Sequence, residues 1–137
     1  MRDTFQLRLL TPRRWLFDEQ VQEVTAPGSV GEFGVLPDHI TFLTSLEIGA
    51  LRYRISNTVR QLAIRGGFAE VADNVMTVLA DDAALPDDID AGAARADLAA
   101  AEAQLQELSP LDPNFAAAEA NRRWAQTRIR VASAGRS

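Results

Sequence analysis

The sequence has no cysteine and only one histidine, and these shortages exclude several kinds of site. Without cysteine there is no disulfide framework, no thiolate metal site and no cysteine nucleophile. A single histidine, His39, cannot supply a zinc site built from several imidazoles. Any chemistry therefore has to come from carboxylates, hydroxyls and arginines, or the protein acts through its surface.

Excess positive charge is also missing. The chain carries 19 acidic and 14 basic side chains, a net charge of -5, and this balance disfavours nucleic acid as the main partner. No apolar run reaches the roughly 18 residues that a membrane-spanning helix needs. The first residues lack the apolar core of a signal peptide, so we expect a cytoplasmic protein. At 137 residues, the chain is long enough for one core, or for a small domain with an appendage.

Short segments rich in β-branched and aromatic residues alternate with turn signals over residues 1–85 and predict an antiparallel sandwich or barrel. Val21 and Val24 are candidates for burial, and Asp73-Asn74 is a turn pair that tolerates positive φ. The predicted strand segments are 5–9, 15–26, 48–55, 59–65, 68–71 and 75–80.

The segment from Gly28 to His39 combines three glycines, a proline and the histidine between two predicted strands, and we expect it to be a structured loop. Gly28, Gly31 and Gly34 do not form a dinucleotide fingerprint or a P-loop, because no Gly-Lys-Ser/Thr sequence and no βαβ unit accompany them. Turns that need positive φ explain these glycines better.

Candidate acid–base and metal residues are few. His39 follows Asp38, but no motif places a serine or cysteine nucleophile beside them, so a structural or interface role for the histidine is favoured. Two pairs of adjacent aspartates, 81–82 and 87–88, resemble metal ligands superficially. We interpret them as solvated linker and helix-capping residues.

Residues 86–137 are rich in alanine and predict an antiparallel helical hairpin. Asp87 or Asp88 is expected to cap the first helix, and Asp112 with Pro113 to begin the second. The predicted apolar positions are Leu98, Ala101, Leu105 and Leu108 on the first helix, and Phe115, Ala118, Ala125 and Ile129 on the second. An alanine contact gains little from burial, so the hairpin is expected to be detachable.

Four arginines, Arg122, Arg123, Arg128 and Arg130, cluster on the second predicted helix. They can form a solvated face that pairs with the acidic first helix, or a basic surface for an acidic partner. The sequence leaves both interpretations open.

Two segments resemble the epsilon subunit of bacterial F-type ATP synthases: Gly31-Glu-Phe-Gly-Val-Leu-Pro-Asp-His39 with Leu43-Thr44 and Gly49, and Gly66-Gly-Phe-Ala-Glu-Val71 with Val75–Asp81. The resemblance runs nearly the whole length and is specific in the first 85 residues. It implies a flattened antiparallel β-sandwich over 1–85, followed by a regulatory helical hairpin over 86–137. It also implies a non-catalytic rotor subunit of the central stalk, peripheral to the cytoplasmic face of the inner membrane and associated with the membrane only through the complex.

The resemblance also assigns partners to residues. Gly31, Glu32 and Phe33 correspond to the family segment that meets the ring of c subunits, and we expect Glu32 at the tip of the loop. Thr11, His39 and Thr44 correspond to positions facing the gamma subunit. The arginine cluster is the candidate inhibitory contact with the catalytic alpha/beta head, which an extended hairpin reaches in the family.

No cofactor is expected. Some family members bind ATP through Ile/Leu-Asp-x-x-Arg-Ala, and Ile89-Asp90 matches its beginning. The arginine position holds Ala93, whereas Arg95 comes two residues late. Two residues rotate a helix by about 200°, so the guanidinium lies on nearly the opposite face. We therefore expect weak or absent ATP binding. The alternatives are a free-standing adaptor, or a small enzyme for which the chain offers no convergent acid, base or nucleophile.

Overall fold

A computed structural model describes residues 2–134 and contains eight strands, one short 3-10 turn and two helices. The strands are β1 Phe5–Leu10, β2 Trp15–Val21, β3 Glu23–Gly28, β4 Gly31–Val35, β5 Phe42–Ile55, β6 Thr58–Ala72, β7 Val75–Ala80 and β8 Ala83–Ala84. The 3-10 turn is Pro86–Asp88, and the helices are α1 Ala91–Glu107 and α2 Phe115–Ala134. The predicted order of a β-sandwich followed by two helices is confirmed.

The strands follow the order β2-β1-β7-β6-β5-β3-β4, with β8 paired to β6. All neighbours are antiparallel except β1 and β7, which are parallel. The long strands β5 and β6 pair from Phe42–Val71 to Ile55–Thr58. They take part in both layers, because their outer neighbours differ along their length: β3 and β8 at one end, β7 at the other.

The two layers meet where β6 passes Gly66-Gly67. Both glycines have positive φ, 69° and 109°, and a side chain at Gly67 would clash with the carbonyl oxygen of Leu79. Glycine is therefore required here for close approach as well as for conformation. The core-facing positions of β6 switch from even to odd residue numbers across the glycine pair, since Ile64 is fully buried before it and Ala69 after it.

The core between the layers is built by strict alternation. Phe5, Leu7 and Leu9 of β1 are buried, and their neighbours are only half-buried. Val21 and Val24 are fully buried as predicted, and the Asp73-Asn74 turn has positive φ at both residues. The other large, fully buried side chains are Val35, Leu51, Leu62, Ile64, Val71, Met76 and Val78.

Two strand predictions were wrong. Residues 15–26 do not form one strand region, because β2 ends at Val21 and pairs with β1, whereas β3 begins at Glu23 and pairs with β4 and β5. The expected loop from Gly28 is largely the β3–β4 hairpin, and only Gly31 of its three glycines has positive φ. A glycine can pair in a strand as well as bend a loop, so the pattern did not distinguish these structures.

Both helices begin later than predicted. Asp90, rather than Asp87 or Asp88, caps α1, because its carboxylate accepts a hydrogen bond from the Ala93 amide at 3.0 Å. α2 begins at Phe115, and the carboxylate of Asp112 accepts a hydrogen bond from the Asn114 amide at 2.8 Å in the preceding turn.

The hairpin contacts the sandwich through α2, which lies on β5 and β6, and α1 packs chiefly against α2. Trp124 and Val131 of α2 join Ala50, Ala63 and Ile89 in a second buried cluster, distinct from the core. Ala132 also belongs to this cluster, and the other buried alanines of the two helices are Ala94, Ala101, Ala118 and Ala125. The predicted Leu98, Leu105, Leu108, Phe115 and Ile129 are half-buried. Within residues 2–134, no helix is both long and apolar enough to cross a bilayer.

Candidate partner-binding surfaces

A row of large apolar side chains crosses the outer face of the layer that the helices do not cover. Phe68 of β6 lies beside Leu79 of β7, Leu79 beside Leu10 of β1, and Leu10 beside Trp15 of β2. Phe68, Leu79 and Trp15 are 55%, 54% and 60% exposed. We call these four residues the apolar row. Four adjacent strands spaced about 4.8 Å apart make it about 14 Å long.

Polar residues border the apolar row one step along the strands. On the same four strands, adjacent residues across the sheet are Glu70 of β6, Thr77 of β7, Arg8 of β1 and Asp18 of β2. Arg8 donates to Gln6 at 3.3 Å, and its Nε atom is buried without a hydrogen-bond partner among the described residues. The outer face therefore combines an apolar region with a polar border. Protein interfaces commonly have an apolar centre surrounded by polar residues.

The three residues assigned to the gamma subunit do not form one cluster. Thr11 directly follows Leu10, so it lies beside the apolar row where β1 ends, and its hydroxyl accepts a hydrogen bond from the Arg13 amide at 3.3 Å. Thr44 is opposite the buried Ala69 on β6 and therefore lies on the core side of the sheet, half-buried. Three strand spacings, about 14 Å, separate β1 from β5.

His39 and Asp38 do not form a catalytic dyad. The His39 ring bonds the Ile40 carbonyl oxygen through Nδ1 at 2.9 Å and packs on Phe42, with 5.0 Å between ring centroids. The Asp38 carboxylate is held by Arg2, whose Nε lies 3.6 Å away. The structural or interface role expected for His39 stays a prediction.

The β3–β4 hairpin presents the segment assigned to the c ring, but with a different tip than expected. Ser29 and Val30 form the tip, and Val30 is 100% exposed. Glu32 lies within β4 opposite Pro27, so its predicted position at the tip was wrong. Its carboxylate is 3.0 Å from the Arg52 guanidinium. Phe33 is half-buried and packs edge-on against Phe42, with 5.5 Å between centroids.

Three arginines of the α2 cluster are paired within the chain. The ion pairs are Arg122–Glu119 at 3.2 Å, Arg123–Glu47 at 3.7 Å and Arg128–Asp97 at 2.9 Å. Arg128 also lies over the Trp124 ring at 5.5 Å. Arg130 is exposed and forms no ion pair with any residue from 2 to 134. In this conformation the cluster mostly holds the hairpin together and against the sandwich.

The residues matching the nucleotide motif have structural roles. Ile89 is buried in the cluster beneath α2, and Asp90 is the α1 cap. Ala93 and Arg95 are exposed on α1. Across residues 2–134, no three carboxylate or histidine side chains come together as metal ligands do.

A separate cavity of about 590 Å³ lies where β5, β6, the 3-10 turn and the end of α2 meet. Its wall includes Phe17 and Tyr53, whose rings are 4.7 Å apart. Burial raises the pKa of the Tyr53 hydroxyl, against an opposing effect of Arg60.

Comparison with known proteins agrees with this architecture. Residues 4–86 match the family described as ATP synthase, Delta/Epsilon chain, beta-sandwich domain. The ATP synthase epsilon chain of Geobacter sulfurreducens is 43% identical over 132 residues, which is 96% of each chain. ATP synthase epsilon chain 2 of Syntrophotalea carbinolica is 41% identical over 135 residues, 98% of each chain.

Solved structures agree as well. A chain of the Euglena gracilis mitochondrial ATP synthase, in a cryo-EM structure that includes the c-ring, superposes with a TM-score of 0.79 at 26% identity. The superposition covers 97% of this chain and 83% of that one. A chain from the central stalk and c-ring of the Tetrahymena thermophila enzyme shares the fold, with a TM-score of 0.55 at 18% identity. With a matched sandwich domain and relatives above 40% identity along nearly the whole chain, this protein belongs to the epsilon subunits of the F-type ATP synthases.

Proposed function

We propose that this chain is a non-catalytic rotor subunit that joins the gamma subunit to the c ring. The observation that carries the proposal is the exposed apolar row on the outer face of the sandwich. Three large side chains exposed side by side form a patch that soluble proteins generally cover with a partner. Phe68 and Trp15 are also the type of residue that dominates binding energy at interfaces.

We assign the gamma subunit to this row, with Thr11 at its margin. Docking would bury about 100 Å² of Phe68, worth about 2.5 kcal/mol at 25 cal/mol per Å². Thr44 and His39 are assigned to the same partner by family resemblance. They border the beginning of β5, beyond the Phe68 end of the row.

Co-expression with the gamma subunit tests this assignment. Phe68→Ser should weaken the complex by about tenfold or more, because the serine loses most of the apolar contact. Val59→Ser is the matched control, since Val59 is 60% exposed on the same strand but lies outside the row. Equal affinities for the two variants would reject the row as the gamma-binding surface. His39→Ala tests the family-based assignment separately.

The c ring is assigned to the β3–β4 hairpin, where Gly31, Glu32 and Phe33 lie beside the exposed tip. Contact with the ring would place the subunit at the cytoplasmic face of the bacterial inner membrane, peripherally and through the complex alone.

Regulation is assigned to the hairpin, which would block ATP hydrolysis when it leaves the sandwich and reaches the alpha/beta head. The support for this is its alanine-rich packing and its attachment chiefly through α2. In the extended form, Arg123 and Arg128 would exchange Glu47 and Asp97 for partner groups, whereas Arg122 would stay beside Glu119 of its own helix. Arg130 is already exposed.

Deleting the chain after Leu85 from the assembled enzyme should raise ATP hydrolysis while leaving binding to gamma intact. An unchanged rate would show that the hairpin is not the inhibitor. A stable chain that never associates with a gamma subunit would instead favour the free-standing adaptor.

A further inference from the structure

Glu32 does not stand alone on the surface assigned to the c ring. Its carboxylate lies 3.0 Å from Nη2 of Arg52, which comes from β5, two strands away. The strand register explains the reach: Arg52 lies beside Thr25 of β3, and Thr25 lies beside Gly34 of β4. Glu32 is two residues from Gly34 and therefore on the same face of β4.

Gly34 lies on the same face of β4 as Glu32 but does not contact the ion pair. Its φ is not positive, so the backbone does not require glycine there. A Cβ at this position would meet only the Val24 carbonyl oxygen, at 3.9 Å. No atom of Arg52 lies within 4 Å of that position, and the strand between Arg52 and Glu32 is β3, where Thr25 is the neighbour of Arg52.

Both side chains of the ion pair are accessible, and Arg52 has N–H donors that the pair does not use. The Arg52 and Glu32 side chains are 38% and 52% exposed. A guanidinium has five N–H donors, and within residues 2–134 Glu32 is the only side chain that pairs with Arg52. The remaining donors can therefore bond a second molecule while the carboxylate is still held.

Arg54 on the same strand provides a contrast. It forms a similar ion pair with Glu23 at 3.3 Å, and it also donates to Gln22 at 2.7 Å and to the Ser56 carbonyl oxygen at 3.5 Å. Arg54 is thus committed to contacts within the chain, whereas Arg52 is not.

We propose that Arg52 is a second member of the c-ring contact, acting together with Glu32. It positions the carboxylate and offers its own free donors to the same partner. The surface then presents a carboxylate and a guanidinium side by side. It fits a polar loop that supplies both a hydrogen-bond donor and an acceptor, rather than a loop that supplies only a cation.

This inference rests on the assignment of the β3–β4 hairpin to the c ring. The experiment measures binding of the gamma–epsilon complex to detergent-solubilised c ring for the wild type, Arg52→Gln, Glu32→Gln and the double variant. Arg54→Gln is the matched control. Each single change should weaken binding about two- to fivefold, as expected for the loss of an exposed charge contact. The double variant should lose less than the product of the two single losses, because the two residues act as one unit.

The outcomes separate the two ideas. If Glu32→Gln weakens binding and Arg52→Gln does not, the role of Arg52 is overturned and the c-ring assignment survives. If neither variant changes binding, both are overturned. Equal losses for Arg52→Gln and Arg54→Gln would indicate a general charge effect and would also overturn the role. Unchanged melting temperatures and unchanged gamma binding are expected for all variants, and they distinguish positioning from a loss of folding.

Discussion

Trp124 is the side chain whose removal should release the helical hairpin while the sandwich stays folded. It is 7% exposed and lies in the small cluster with Val131, Ile89, Ala50 and Ala63, separate from the sandwich core. The buried residues of this cluster on β5 and β6 are alanines, and Ile48 of β5 is only half-buried beside them, so no large buried group on the sheet replaces Trp124. Exposed ion pairs contribute at most about 1 kcal/mol each.

Truncating a buried tryptophan to alanine costs about 3–5 kcal/mol in a well-packed site. We take the lower end, about 3 kcal/mol, because the contact is with one sheet face rather than with a surrounding core. Alanine favours helix formation more than tryptophan does, so the loss is in docking and not in helix stability. A loss of 3 kcal/mol corresponds to about a hundredfold increase in the open population.

Amide hydrogen exchange followed by mass spectrometry measures this directly. In Trp124→Ala, peptides from α1 and α2 should exchange about a hundredfold faster, and peptides from β1 and β7 should keep their protection. Trp15→Ala is the control, because Trp15 is 60% exposed and its loss should leave the hairpin unchanged. Simultaneous loss of protection in helices and sandwich would show that they form one cooperative unit, and unchanged helices would refute the role given to Trp124.

Three further predictions concern stability and ligand binding. Gly67→Ala should destabilise the fold by more than about 1 kcal/mol, because it adds a clash with Leu79 at positive φ, whereas Gly34→Ala should change the melting temperature little. The raised pKa of Tyr53 means that the folded state holds the phenol proton to higher pH than the unfolded state does, so the contribution of Tyr53 to the free energy of unfolding should be constant below about pH 10 and fall above it. Tyr53→Phe should remove that fall, and because this is the only tyrosine, phenolate absorbance should report its titration alone. Calorimetry should detect no micromolar ATP binding. Asp90→Ala should instead weaken α1 by about 1 kcal/mol, measured as helical circular dichroism during thermal unfolding, through loss of its cap.

Local periodicity was enough to predict the strands whose burial alternates. The alternation of Phe5, Leu7 and Leu9 predicts β1, and the Asp73-Asn74 pair predicts the turn between β6 and β7. Both signals lie within a few consecutive residues. The break at Gln22 was not predictable in this way. It depends on which strand pairs with each half of residues 15–26, and pairing partners are distant in sequence.

The candidate surfaces were harder to predict than the fold. Phe68, Leu79 and Trp15 are scattered along the chain, and only the sheet register makes them neighbours. The Glu32–Arg52 pair likewise depends on the order β5-β3-β4. In the hairpin, the apolar positions predicted for the second helix do not include Trp124, which lies in the buried cluster, because an alanine-rich helix leaves its buried side poorly marked.

The unbroken length of β6 has a mechanical consequence. Its 15 residues run from the β5–β6 turn, past Ala63 beneath α2, to Phe68 in the apolar row. A force applied at the apolar row is therefore transmitted to the part of the sheet beneath α2 through the covalent backbone of β6. Strand β5 is hydrogen-bonded to β6 along this length. A load along the strands would shear many of these bonds at once instead of opening them one by one. A pair of strands joined in this way is stiff along its length, which fits the proposed role of a subunit that turns with the gamma subunit.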